Sequence, residues 1–244
     1  MAKAKTIPFK TILARAEKRK GGPNGLKKLL PAKPSAKALE KVSDDRMLAE
    51  MTKRVFSAGF AWSVIEQKWP GFEKAFLGFK PPKLTFQPDD FWHGLLSDTG
   101  IVRNGAKINS VRENAAFVQE IAKEHGSFGK FLASWPSSDE IGLLNLLSKR
   151  GSRLGGNTGQ MFLRFVGWDG FVTSLDVVAC LRDAGLDIAS EVKSKGDLAK
   201  VQAQFNAWAE ETGLPYVHLS RICAMSIGEN YDAARLASYA GDEE

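Results

Sequence analysis

Residues Leu143 to Gly167 read LLNLLSKRGSRLGGNTGQMFLRFVG. Leu143, Leu144 and Leu147 recur at helical spacing, as do Phe162, Phe165 and Val166 on the far side of a short connection. That connection holds Lys149, Arg150, Gly151, Arg153, Gly155 and Gly156, so two helices are joined by a turn that is both glycine-rich and basic. The second helix is predicted to begin near Asn157 or Thr158. Glycines allow close backbone approach there, and the first N–H groups of the helix, with the positive end of its dipole, point out of the turn. A phosphate fits such a place. Lys149, Arg150 and Arg153 add the mobile positive charge that holds a nucleic-acid backbone without reading sequence. The stretch alone also describes a glycine-closed connection between two ordinary packed helices.

Outward from the hairpin the pattern stays helical. Ser43, Asp44 and Asp45 mark a helix start, with acids at the positive end of the dipole and Met47, Leu48, Met51 and Val55 on one face. Further helices are predicted over 61–68, 72–79, 89–96, 106–125, 128–134, 139–148, 157–166, 174–184, 197–211 and 217–227. No stretch shows the period-two alternation of a strand, and no repeat of 20 to 50 residues suggests a solenoid. The expected fold class is all-α.

The 244 residues, 43% hydrophobic and 25% charged, suit one or two soluble globular domains. No apolar run approaches the roughly 18 residues that span a bilayer, and the N-terminus has no signal-like apolar core, so no membrane contact is expected. Cys180 and Cys223 stand far apart without C-x-x-C spacing, and His93, His125 and His218 are not at ligand spacing. Both cysteines read as small packed residues, and no metal or cofactor is expected.

Charge is unevenly placed. Residues 1–41 carry twelve Lys or Arg against Glu17 and Glu40, a net +10 in a chain whose total is +6, which leaves the remainder at −4. Residues 1–42 therefore read as a basic, partly disordered arm, residues 43–234 as the folded domain and 235–244 as an acidic tail. The arm is either a tether to nucleic acid or a solvated tail. Ile7 to Lys20 could form a short helix, broken by GGPNG.

Helix, glycine hairpin and helix is the helix-hairpin-helix arrangement of DNA repair proteins. Three blocks, SAGFAWSVIEQKWPGFEKAF at 57–76, DTGIVRNGAKINSVRENA at 98–115 and LSKRGSRLGGNTGQMFLRFVG at 147–167, occur in the order and spacing of blocks in DNA-3-methyladenine glycosylase I. The chain resembles a diverged member of that family from about Ser43 to Leu181. The resemblance implies that Trp62 stacks on an extruded base, with Phe60 and Arg54 beside it; core packing is the alternative for Trp62. It further implies that the hairpin, through Lys149, Arg150, Gly151, Arg153, Gly155, Gly156 and Thr158, holds the DNA backbone, and that Arg103, Asn104, Gly105 and Lys107 form a structural or backbone-contacting turn.

The departures are specific. The family glutamate that hydrogen-bonds the base falls on Arg54. One half of the family's zinc clasp falls on Leu175 and Ala179, and the other on a segment without Cys or His. The longer C-terminus, FNAWAEETGLPYVHLSRICAMSIG, reads as two helices that close the domain by apolar burial, with Trp208, Tyr216 and His218 as core or interface residues. Many helix-hairpin-helix glycosylases carry an aspartate about 20 residues past the hairpin. Asp176 is the candidate here, with Thr173 or Ser174 as alternatives, and a carboxylate that merely faces a helix dipole as the structural reading. GGNTGQMF offers no nucleophilic lysine. The expected activity is thus monofunctional hydrolysis of the N-glycosidic bond of an alkylated purine, by a monomer on double-stranded DNA containing a damaged base, in the cytoplasm at the nucleoid. The alternatives are a catalytically inactive DNA-binding protein and a helical interaction protein.

Overall fold

The computed structural model describes residues 6–231, and every regular element among them is helical. The α-helices are α1 (Phe9–Arg19), α2 (Gly22–Lys27), α3 (Ala36–Leu39), α4 (Asp44–Ser57), α5 (Trp62–Ala75), α6 (Pro81–Thr85), α7 (Asp89–Leu95), α8 (Gly105–His125), α9 (Phe128–Ser134), α10 (Glu140–Arg150), α11 (Asn157–Phe165), α12 (Leu175–Asp183), α13 (Lys195–Thr212) and α14 (Tyr216–Ser226). They group into two compact units. One comprises residues 35–136 and 142–168; the other comprises the N-terminal segment to Pro34, residues 137–141 and the chain from Asp169 onward.

The hairpin unit is built around α8, against which α4, α6 and α9 pack. Asn104 starts α8, its Oδ1 accepting the Lys107 N–H at 3.1 Å. The core is aromatic: Phe56, Phe72, Phe76, Phe79, Phe117, Phe128 and Phe162 are fully buried, each contributing about 1.5 to 3 kcal/mol by leaving water. Trp69 stacks on Phe72 and Phe79 at centroid distances of 5.5 and 5.3 Å. Here the structure differs from the sequence reading. The two helices predicted over 61–68 and 72–79 are one, α5, running through Pro70. Proline removes the N–H that Glu66 would receive and crowds that carbonyl, but both residues lie on the exposed side, where water can replace the lost bond.

The second unit joins α1, α2, α12, α13 and α14. Phe171 stacks on Phe205 at 4.4 Å and Phe9 tilts against Trp208 at 5.3 Å. Trp208 is buried, as is His218, whose Nε2 donates to the Pro31 carbonyl at 2.8 Å. Cys180 and Cys223 are free and buried. The described part of the segment expected to be a partly disordered arm is packed instead: Phe9, Ile12 and Ala16 have no exposed surface. Its charges hold the unit together. Glu211 accepts the Phe9 N–H at the start of α1, Arg15 pairs with Asp183 at 2.7 Å, and Arg19 donates to the carbonyl of Met225 in the last turn of α14 and to those of Ile227 and Gly228 beyond it. GGPNG does interrupt α1, yet the chain restarts at once as α2 with Pro23 in its first turn, where the missing N–H is harmless. The predicted tail 235–244 lies outside the described residues.

Candidate functional site

The hairpin forms where the sequence places it, between α10 and α11. Gly156 is the N-cap of α11, with φ 57° and ψ −136°, a conformation that a side chain rarely adopts. No side chain caps α11, so its leading N–H groups are left for solvent or an anion. A Cβ on Gly151 would meet the Leu147 carbonyl at 2.8 Å and Leu154 Cδ1 at 2.7 Å, and one on Gly155 would meet Ser148 Oγ at 3.0 Å. Thr158 is half-buried in the first turn of α11.

The three cations differ. Lys149 and Arg153 are exposed, and neither has an ion pair among the described residues; Arg153 also sits in left-handed backbone at φ 59°. Arg150 is engaged by α8, with Glu124 at 2.9 Å and Glu120 at 3.4 Å, and its guanidinium lies 5.6 Å from the Phe117 ring centre. A residue missed in the sequence fixes the turn: the buried Asn114 donates from Nδ2 to the Ser152 carbonyl at 3.0 Å and accepts the Ser152 N–H on Oδ1 at 2.7 Å. The signal was available, since Asn114 is a polar residue in register with Val111 and Val118 on the buried face of α8.

Trp62, Arg54 and Phe165 form one group, carried by α5, α4 and α11. The Arg54 guanidinium carbon lies 3.9 Å from the Trp62 ring centre and 3.8 Å from that of Phe165, and the two rings are 5.5 Å apart. Arg54 is 4% exposed and pairs with Glu50 one turn earlier on α4. A planar cation against an aromatic face is worth about 0.5 to 2 kcal/mol, most when desolvated. The Trp62 indole N–H is buried without an acceptor among the described residues. The sequence marks Phe165 only as an apolar helix position, and the Glu50–Arg54 spacing is that of a helical ion pair.

Phe60 is 43% exposed rather than enclosed, with Lys107 Nζ 4.7 Å from its ring centre. Lys107 ends in the turn after α4, donating to the carbonyls of Phe56 at 3.1 Å and Ala58 at 2.6 Å, and burial lowers its pKa, with Arg153 adding to the effect. The turn over 103–107 is thus structural at Asn104 and Lys107.

Asp176 belongs to the second unit, in the first turn of α12, which Ser174 caps through a bond from the Val177 N–H at 3.4 Å. The Asp176 carboxylate lies against the backbone of Gly228, where an added Cβ would meet Oδ1 at 2.5 Å. Ser174, one of the alternatives, is therefore occupied as a cap. Leu175 is 80% exposed and Ala179 is exposed; neither has an atom that binds zinc.

No helix of the described residues is long and apolar enough to cross a membrane. Among solved structures, the 8-oxoguanine DNA glycosylase of Methanocaldococcus jannaschii matches with a TM-score of 0.54 at 14% identity, covering 88% of this chain and 92% of that one. The match shows the fold to be that of helix-hairpin-helix DNA glycosylases. The 3-methyladenine DNA glycosylase I of Staphylococcus aureus matches at 21% identity and a TM-score of 0.47, over 75% of this chain and 100% of that one. The family model of methyladenine glycosylase matches residues 38–144, which include Arg54, Phe60, Trp62 and Asn114 and end short of the hairpin turn. Over that segment the chain is similar to the methyladenine glycosylase family.

Proposed function

We propose that the protein is a monofunctional DNA glycosylase that hydrolyses the N-glycosidic bond of an alkylated purine extruded from double-stranded DNA. The observation that carries this reading is the hairpin: a glycine at positive φ opens α11 without a side-chain cap, between the exposed cations Lys149 and Arg153. That is an anion site whose shape is held by Asn114 rather than by the ligand. The solved relatives support the partner, since one bears 3-methyladenine and another a 15mer DNA containing 8-oxoguanine.

In the proposed reaction the bond between sugar C1′ and the base nitrogen breaks, its electron pair leaves with the base, and water supplies hydroxyl to C1′ and a proton to solvent. N-alkylation makes the purine a good leaving group, so the protein need only extrude it, stack it and stabilise the developing positive charge. Trp62 offers the stacking surface and an N–H without an acceptor among the described residues. Asp176 is the carboxylate assigned to the cationic sugar by its position 20 residues past Gly156, where many helix-hairpin-helix glycosylases carry an aspartate. One observation favours a second reading, an inactive DNA-binding protein: the face of Trp62 is already covered by Arg54.

Release of free base from duplex DNA treated with a methylating agent separates the two. The glycosylase reading expects release, reduced about 100-fold or more in Asp176→Asn, the scale of losing one preorganised stabilising group. Tight binding to duplex containing an abasic analogue, with no base released by the wild type, would establish the second reading instead.

A further inference from the structure

Asp176 stands half-buried in the first turn of α12, and no donor among the described residues bonds to its carboxylate. Against it lies the backbone of Gly228, so close that an added Cβ would meet Oδ1 at 2.5 Å, Cγ at 3.2 Å and Oδ2 at 3.7 Å. Gly228 also has φ 69°, left-handed backbone that a side chain rarely adopts. The side of Gly228 that faces Asp176 is where a Cβ would stand. It therefore offers carbon and hydrogen but no hydrogen-bond donor.

Gly228 lies beyond α14, which ends at Ser226, and it is held from α1. Arg19, half-buried at the end of α1, donates from Nε to the Met225 carbonyl at 3.0 Å and from Nη2 to those of Ile227 and Gly228 at 3.2 and 2.7 Å. One planar fork thus takes three carbonyls, and the last belongs to the residue that touches Asp176. The chain that follows is tied to the same helix end: Lys20 Nζ donates to Asn230 Oδ1 at 2.8 Å, and Asn230 Nδ2 to the Arg19 carbonyl at 3.3 Å. Ser226 Oγ meets Cys180 Sγ at 3.4 Å, on α12 one turn past Asp176. All of these residues belong to one unit.

We propose that Arg19 and Gly228 are positioning residues for Asp176: Arg19 fixes the turn after α14, and Gly228 confines the carboxylate to one orientation without spending any of its acceptor sites. The inference rests on the glycosylase reading for the task of that carboxylate. A donor at this wall would draw on the lone pairs that must face the developing charge at sugar C1′, whereas a bare Cα only restricts rotation. The Arg19 charge also satisfies carbonyls at the end of α14, which is a purely structural service. The two roles differ in whether the effect of Arg19 depends on the Asp176 carboxylate.

The test uses the full chain and duplex DNA treated with a methylating agent, in single turnover, with Kd for undamaged duplex measured alongside. A misplacement of about 1 Å can cost about 100-fold in rate, so Arg19→Ala and Gly228→Ala should each slow base release at least about tenfold while Kd stays within about twofold. In an Asp176→Asn background neither substitution should slow release by more than about twofold, because no carboxylate remains to be aimed. The carboxyl carbon-13 signal of Asp176, identified by its loss in Asp176→Asn, reads the contact without any activity. Both substitutions should displace it, and Lys18→Ala, which removes an exposed charge from the same end of α1, should not. Wild-type release in either folded variant, equal slowing with and without the Asp176 carboxylate, an unmoved carboxyl signal, or unfolding of both variants would overturn the assignment. If the wild type releases no base while both substitutions displace the signal, the glycosylase reading fails and the positioning of Asp176 stands. Release by the wild type with an unmoved signal is the reverse outcome.

Discussion

At the scale of single residues the hairpin depends on Asn114 as much as on its glycines. The Asn114 amide makes two bonds to Ser152, one from each end, and it is 1% exposed. Truncation leaves the half-buried Ser152 N–H and carbonyl without their partner, at a cost of up to about 1 to 3 kcal/mol for an orphaned group. Asn114→Ala should therefore lower the unfolding free energy measured in urea by an amount in that range and also weaken binding to undamaged duplex DNA, because the turn that presents α11 loosens. Loss of stability with unchanged DNA affinity would detach the clasp from the interface. Residue-scale legibility was uneven. The glycines and cations of the hairpin lie in one short stretch and could be read directly. The substitution of Arg54 for the family's acid was also visible, but its consequence was not. The rings that hold the guanidinium come from α5 and from α11, far along the chain, and local sequence does not report which distant side chain meets which.

At the scale of elements, α1 shows how composition can mislead. Its segment is so rich in lysine and arginine that it reads as a solvated arm, yet Phe9, Ile12 and Ala16 fall at the spacing of one helix face and are fully buried. Three apolar positions suffice because Trp208 and α14 supply the other side of the contact. The helical class and most helix positions followed from periodicity, whereas the passage of α5 through Pro70 did not, since it depends on which face of the finished helix meets water. Phe9→Ala removes a fully buried ring that packs on Trp208, a change that typically costs about 3 to 5 kcal/mol. The variant should lose about that much stability, with a matching change in tryptophan fluorescence as Trp208 becomes exposed. A variant as stable as the wild type would restore the reading of this segment as a detachable arm.

For the molecule as a whole, the net charge of +6 overstates what is available to a polyanion. Arg15 is held by Asp183, Arg19 by three carbonyls, Arg46 by Glu73 and Arg150 by Glu124 and Glu120. Their guanidinium groups serve packing, and those already paired with a carboxylate have less counterion to release when a phosphate arrives. Lys149 and Arg153 flank the uncapped end of α11 without such partners among the described residues. Each phosphate neutralised on duplex DNA contributes about −0.9 to the slope of log affinity against log salt. Replacing both Lys149 and Arg153 by alanine should therefore make that slope shallower by about 1.8. Arg15→Ala, which removes the same kind of charge from a segment of higher charge density, should leave the slope unchanged. The two slopes, measured by fluorescence anisotropy on undamaged duplex across a salt series, decide between a localised phosphate site and a diffuse basic surface. Equal changes in the two variants would mean that the N-terminal charge binds DNA directly and that the hairpin has no special claim on the backbone.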